Sequence, residues 1–138
     1  MTQLKMIGVT TMMNGKMNNL SLEQLFDLQV NNQNLLIKKG SYEGFSSRTV
    51  TSTPIDDPRL CSYHVQQLVS EIGEVLEADK RWKNFRNDRY DKDAKLDEIA
   101  DCFIVLMNVA MYSGFSGSEI TEAIKNKIEI VHERVANS

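Results

Sequence analysis

Between Leu96 and Tyr112 the chain reads LDEIADCFIVLMNVAMY, a run with helical spacing and apolar residues on nearly every side. Leu96, Ile99, Ala100, Phe103, Met107 and Ala110 share one face, while Val105, Val109 and Tyr112 lie roughly opposite. A helix that is apolar all round has to be buried between neighbours. A chain of 138 residues has few other elements with which to cover both sides. The run therefore predicts a helical bundle whose packing is completed by a second copy, as a homodimer or homotetramer.

The rest of the sequence supplies the neighbours. Ser21 and Gln24 form a capping-box pattern that opens a helix over 21–39, with Leu25, Leu28, Leu35 and Leu36 as its stripe and Gly40 as its stop. Asp57 and Pro58 supply an N-cap and a first-turn proline for a second helix reaching about Phe85. Val65, Leu68, Val69, Ile72, Val75 and Leu76 give that helix an expected buried stripe. The all-round apolar run sits in a third helix over 93–113, stopped at Gly114. Ser116 and Glu119 form a second capping box, opening a fourth helix to about Val135 whose face is Ile120, Ile124, Ile128 and Val131. Residues 1–19 read as a flexible arm or short extended piece, and 41–57 as a long loop of a length that is either functional or disordered, with some strand character at 48–51. The chain is thus expected to form a single all-α domain of four helices over 1–138.

Composition narrows the function classes. A net charge of −3 gives no general attraction to nucleic acid or to an anionic membrane. Cys61 and Cys102 lack any CxxC spacing or Cys/His cluster, which argues against zinc and for reduced, cytoplasmic thiols. No window reaches about 18 uninterrupted apolar residues, and no apolar run follows a basic start. Neither a membrane span nor a signal peptide is expected.

The chemistry concentrates in acids. In SEIGEVLEADKRW, Glu71 and Glu74 flank the apolar stripe of the second helix, and Glu98 and Asp101 hold the matching spacing on the third. Two consecutive helices joined by a short connection pack antiparallel, which can bring the pairs face to face. Four half-buried carboxylates repel one another and lose hydration, a conflict that a hard divalent cation resolves. An all-oxygen donor set without His or Cys suits Mg²⁺, with Mn²⁺ as the alternative. Either pair alone is common on solvated helices; two pairs on successive helices point to a phosphate-handling site. Glu77 and Asp79 have no such counterparts and are expected to face solvent or nearby cations such as Lys80.

Other candidates surround these acids. Gln29 and Asn32 fall beside the first helix's stripe, where they are boundary residues or amides that read a base edge. Trp82 and Lys83, within RWKNFR, offer a ring for stacking and a cation for phosphate, or simply a helix end capping the core. Asn108 continues the Glu98–Asp101 side of the third helix. His64 sits on the Glu71 side of the second helix, as an interface residue or a supporting group.

ExxE on one helix and ExxD on the next, with the words SEIGEVLEA and LDEIADCFIVL around them, resemble the all-α nucleoside triphosphate pyrophosphohydrolases. That superfamily includes MazG-like proteins, dimeric dUTPases and phosphoribosyl-ATP pyrophosphohydrolases, and the likeness covers about 63–134. It implies a MazG-like bundle in which Glu71, Glu74, Glu98 and Asp101 hold Mg²⁺. It also places basic and amide residues at Lys125, Asn126, Lys127 and Arg134, of which Asn126 and Lys127 suit the phosphate tail. LSLEQLFDLQVNNQNLL resembles the first helix of dimeric dUTPases, where an amide helps bind the base. The chain is shorter than those enzymes and lacks their duplicated acids, which favours the MazG-like assignment over uracil specificity.

The resemblance implies cleavage of a nucleoside triphosphate between its α and β phosphates, yielding nucleoside monophosphate and pyrophosphate. Glu71 and Glu74 are the catalytic candidates, with Glu74 as the base for the attacking water. The competing readings are a dUTPase-type enzyme, a nucleotide sensor without turnover and a helical interaction module.

Overall fold

The computed structural model describes residues 19–46, 48–83 and 88–138. The arm expected over 1–19 lies outside these residues except for Asn19. Among these residues there are four α-helices: α1 (Leu22–Lys38), α2 (Pro58–Ala78), α3 (Lys92–Met111) and α4 (Gly117–Ala136). The all-α expectation holds. Local chemistry sets the helix starts. The Ser21 hydroxyl accepts from the Gln24 amide while the Gln24 side chain accepts from the Ser21 amide, and Ser116 and Glu119 repeat the exchange at α4. Asp57 opens α2 by accepting from the amides of Arg59 and Leu60, each at 3.1 Å.

The tightest pairing is α2 with α3. Lys95, in the first turn of α3, reaches Asp79 just after α2, while Cys61 near the start of α2 meets Val109 and Ser113 at the far end of α3. The two helices are therefore antiparallel. Helix α1 packs on both α3 and α4. Gly114 turns the chain out of α3 at a φ of 87°, a conformation open to glycine at little cost. Gly117 lets α4 approach α1 closely: a Cβ there would meet the Glu23 carbonyl and the Phe26 ring at 3.2 Å.

The core gathers at one end of this arrangement. Phe26 and Val30 of α1, Leu60 of α2, and Met111 and Tyr112 at the end of α3 are almost fully buried. Tyr42, from the loop after α1, adds its ring edge-on to Tyr112 at 5.9 Å. The hydroxyls of Tyr42 and Tyr112 both donate to Gln33 Oε1, at 2.6 and 2.9 Å. Gln33 and the two hydroxyls thereby satisfy one another, which avoids the penalty of an unmade bond, while the buried Nε2 of His64 makes no hydrogen bond among the described residues.

Three expectations need correction. Helix α2 ends at Ala78 instead of near Phe85, because Asp79 leaves helical geometry and caps a 3₁₀ turn, Lys80–Trp82; Phe85 itself lies outside the described residues. No strand forms at 48–51 among the described residues. Instead the last part of the loop pairs with the end of α3, where the Ile55 and Asp57 amides donate to the Met111 and Tyr112 carbonyls at 2.8 and 2.9 Å. Finally, the apolar stripe of α2 is not fully covered among the described residues. Val69 is 67% exposed, with Val65, Ile72 and Leu76 also open. Leu96 and Phe103 of α3, and Ile124, Ile128 and Val131 of α4, are open too. One copy carries more apolar helix surface than its own four helices can cover.

Candidate metal centre and adjoining cleft

The antiparallel pair brings three of the predicted acids together. Glu71 on α2 and Glu98 and Asp101 on α3 each place one carboxylate oxygen within 4.8 Å of the others, all half-buried. None of the three side chains accepts a hydrogen bond or ion pair from any described residue. Partial desolvation raises the Glu98 carboxyl above its ordinary range, and the charges of Asp101, Glu74, Glu71 and Asp97 add to the effect. The neighbouring Cys102 thiol is pushed up by burial and by the same acids, and both cysteines are free thiols.

Glu74 is not among the three whose oxygens lie within 4.8 Å of one another. It is exposed, one turn along α2 from Glu71, and its charge acts on Glu98 ahead of that of Glu71. Three acids at the interface and a fourth at its rim form a donor set suited to a hard cation. Carboxylate oxygens are hard donors, unlike the sulfur and imidazole donors that soft metals favour.

A second set of polar groups links α1 to α3. Gln29 Nε2 donates to Asn108 Oδ1 at 3.0 Å, and Asn32 Nδ2 donates to Gln29 Oε1 at 3.3 Å. Asn108 is only 5% exposed. The ladder leaves two ends unspent among the described residues, a donor at Asn108 Nδ2 and an acceptor at Asn32 Oδ1. Gln29 and Asn32 also line a cleft of about 450 Å³ whose remaining wall is apolar, including Leu25, Leu28, Ile99 and Phe103. Pockets of such size and lining suit small organic ligands.

The other candidates fall in different places. Trp82 lies on the surface, its indole N–H donating to the Leu76 carbonyl at 3.1 Å, with Lys83 Nζ 5.4 Å from its ring centroid. Asn84 to Asn87, which complete the basic aromatic run, lie outside the described residues. Asn126, Lys127 and Arg134 are exposed on α4, which packs chiefly against α1 and away from the acid-bearing pair. His64 is buried against the core, stacked on Tyr112 with ring centroids 4.9 Å apart and planes 9° apart. Burial lowers its imidazole to about 4, so at neutral pH it is an uncharged ring.

Asp79 meets cations, as one of its two expected settings had it, but it is buried and its partners are Arg81 and Lys95 rather than Lys80. It is 7% exposed, and its carboxylate accepts from Arg81 Nε at 2.8 Å, Arg81 Nη2 at 2.9 Å and Lys95 Nζ at 2.8 Å. Those bonds, from Arg81 first and Lys95 second, hold its carboxyl well below the usual range. Lys80 turns instead to Glu77, at 3.5 Å. The only sequence signal was a run of cations beside an acid at a helix end, which many solvated helices share.

No family model, curated protein or solved structure matches the chain. Among the described residues, no helix is long and apolar enough to cross a membrane.

Proposed function

We propose that the protein is a Mg²⁺-dependent nucleoside triphosphate pyrophosphohydrolase of the MazG-like kind, acting in cytoplasmic nucleotide housecleaning. The observation that carries this reading is the meeting of Glu71, Glu98 and Asp101 across two antiparallel helices, with no base or donor among the described residues to balance them. Unbalanced carboxylates at a half-buried interface are costly unless a cation joins them. The spacing of these acids, ExxE then ExxD, is the feature that resembles the pyrophosphohydrolases.

In this reading Glu71, Glu98 and Asp101 hold the cation, and Glu74 completes the set from the rim. Bound Mg²⁺ would neutralise the triphosphate tail and make a water easier to deprotonate. Glu74, exposed beside the interface, is the side chain free to accept that proton. Gln29 and Asn32, held in the amide ladder by the bond to Asn108, would present their amides to a base edge in the cleft, whose apolar walls would exclude water from its faces. Trp82 and Lys83 give a surface ring and a cation near the end of the acid-bearing helix. That ladder favours a base-selective enzyme, so a dUTPase-type preference is the second reading.

The open apolar faces of α2, α3 and α4 support a homodimer or homotetramer. Asn126 and Lys127, remote from the acids within one copy, would then serve the site of a neighbouring copy. The direct test is thermal unfolding with Mg²⁺ and a nucleoside triphosphate. Stabilisation that disappears in Glu71→Gln and in Asp101→Asn supports the reading; equal stabilisation in these variants contradicts it.

A further inference from the structure

The connection between the two acid-bearing helices closes on one carboxylate. Asp79 directly follows Ala78, the last residue of α2. It gathers Arg81 from the 3₁₀ turn and Lys95 from the first turn of α3. Arg81 in turn lies over the Tyr90 ring, with its guanidinium carbon 3.7 Å from the centroid. One buried acid thus ties the end of α2, the turn, the approach to α3 and α3 itself. Bonds between a carboxylate and two cations are short and strong for their kind.

The tie matters because of where Lys95 sits. It precedes Glu98 by three residues on the same helix, and neighbours at that spacing lie on one face. Fixing Lys95 against the end of α2 therefore fixes the height at which Glu98 and Asp101 pass Glu71. A helix advances about 1.5 Å per residue and turns about 100°, so a slip of one residue would separate oxygens that now lie within 4.8 Å. Mutual repulsion among the acids favours such a slip. No hydrogen bond or ion pair at the acids themselves opposes it among the described residues.

We infer that Asp79 is a positioning residue: through Arg81 and Lys95 it sets the register in which Glu71 meets Glu98 and Asp101, and so the affinity of that site for a divalent cation. The inference rests on the metal-binding reading of the acids. Free Mn²⁺, followed by electron paramagnetic resonance in a titration of the full chain, tests both. Asp79→Asn and Lys95→Met should each weaken Mn²⁺ binding by about tenfold, the low end for groups behind a ligand shell. Lys95→Arg, which keeps the cation, should restore binding to near wild type. The double variant Asp79→Asn/Lys95→Met should bind no worse than either single one, because both remove the same tie. Wild-type affinity in Asp79→Asn and Lys95→Met, with helical circular dichroism unchanged, would overturn the positioning role and leave the metal reading standing. Wild-type protein that binds no Mn²⁺ would overturn both.

Discussion

Replacing Gln29 by leucine separates a structural amide ladder from two polar groups that happen to be close. Asn108 Oδ1 accepts from Gln29 Nε2 at 3.0 Å, and Asn108 is 5% exposed. Gln29→Leu removes the donor and strands that oxygen where water scarcely reaches, at a cost of about 1–3 kcal/mol. Asn108→Leu strands the Gln29 amide instead, but Gln29 is half-buried and can turn to water, so the cost is about 0.5–1.5 kcal/mol. Leucine at both positions leaves neither group waiting for the other. The double variant should lose about 1 kcal/mol less than the sum of the single ones. Urea unfolding at neutral pH, compared at a common slope, measures all four corners of the cycle. Additivity within about 0.3–0.5 kcal/mol would mean that the bond carries no coupling, and would refute the reasoning. The cycle also bears on function. If the unspent ends of the ladder read a base, Gln29→Leu raises KM for the preferred nucleotide and changes kcat little.

The acid cluster predicts that, without metal, Glu98→Gln is at least as stable as wild type, since it relieves repulsion that desolvation makes worse; differential scanning calorimetry in chelator shows the sign. With Mg²⁺ at about a hundred times its Kd, wild type should gain about 2.7 kcal/mol that Glu98→Gln does not. His64 predicts an acid-side loss of stability. Below pH 6.5 the unfolded chain takes up a proton that the folded chain refuses until about 4. Its contribution is therefore fully present above pH 6.5 and falls as pH drops toward 4, by at most about 1.4 kcal/mol per pH unit. His64→Phe should flatten urea midpoints over that window. The open stripe on α2 predicts self-association: sedimentation velocity should show a dimer or larger species that Val69→Lys, at a position 67% exposed in one chain, disperses.

Much of this architecture was legible because it is written locally. Ser21 with Gln24, Asp57 before Pro58 and Ser116 with Glu119 each announce a helix through bonds made within one turn. The meeting of Glu71 with Glu98 and Asp101 was also legible, since a helical hairpin and a spacing of three suffice to predict it. The sequence did not reveal that Glu74 is exposed while Glu71, Glu98 and Asp101 are half-buried, because a step of three residues leaves about 60° of rotation that only packing resolves. Asp79 escaped for a related reason. ADKRWKNF contains no proline or glycine to stop a helix, and the break comes from Arg81 and from Lys95, sixteen residues away. Burial on α2 was misjudged because periodicity marks an apolar face without saying whether its cover belongs to the same chain.

Product analysis tests the central claim most directly. The protein is incubated with Mg²⁺ and a panel of standard and modified nucleoside triphosphates, and the products are resolved by ³¹P NMR. The acid site across α2 and α3 predicts pyrophosphate and nucleoside monophosphate in equal amounts, lost in Asp101→Asn. Orthophosphate with nucleoside diphosphate, or no turnover of any nucleotide by well-folded protein, would contradict it.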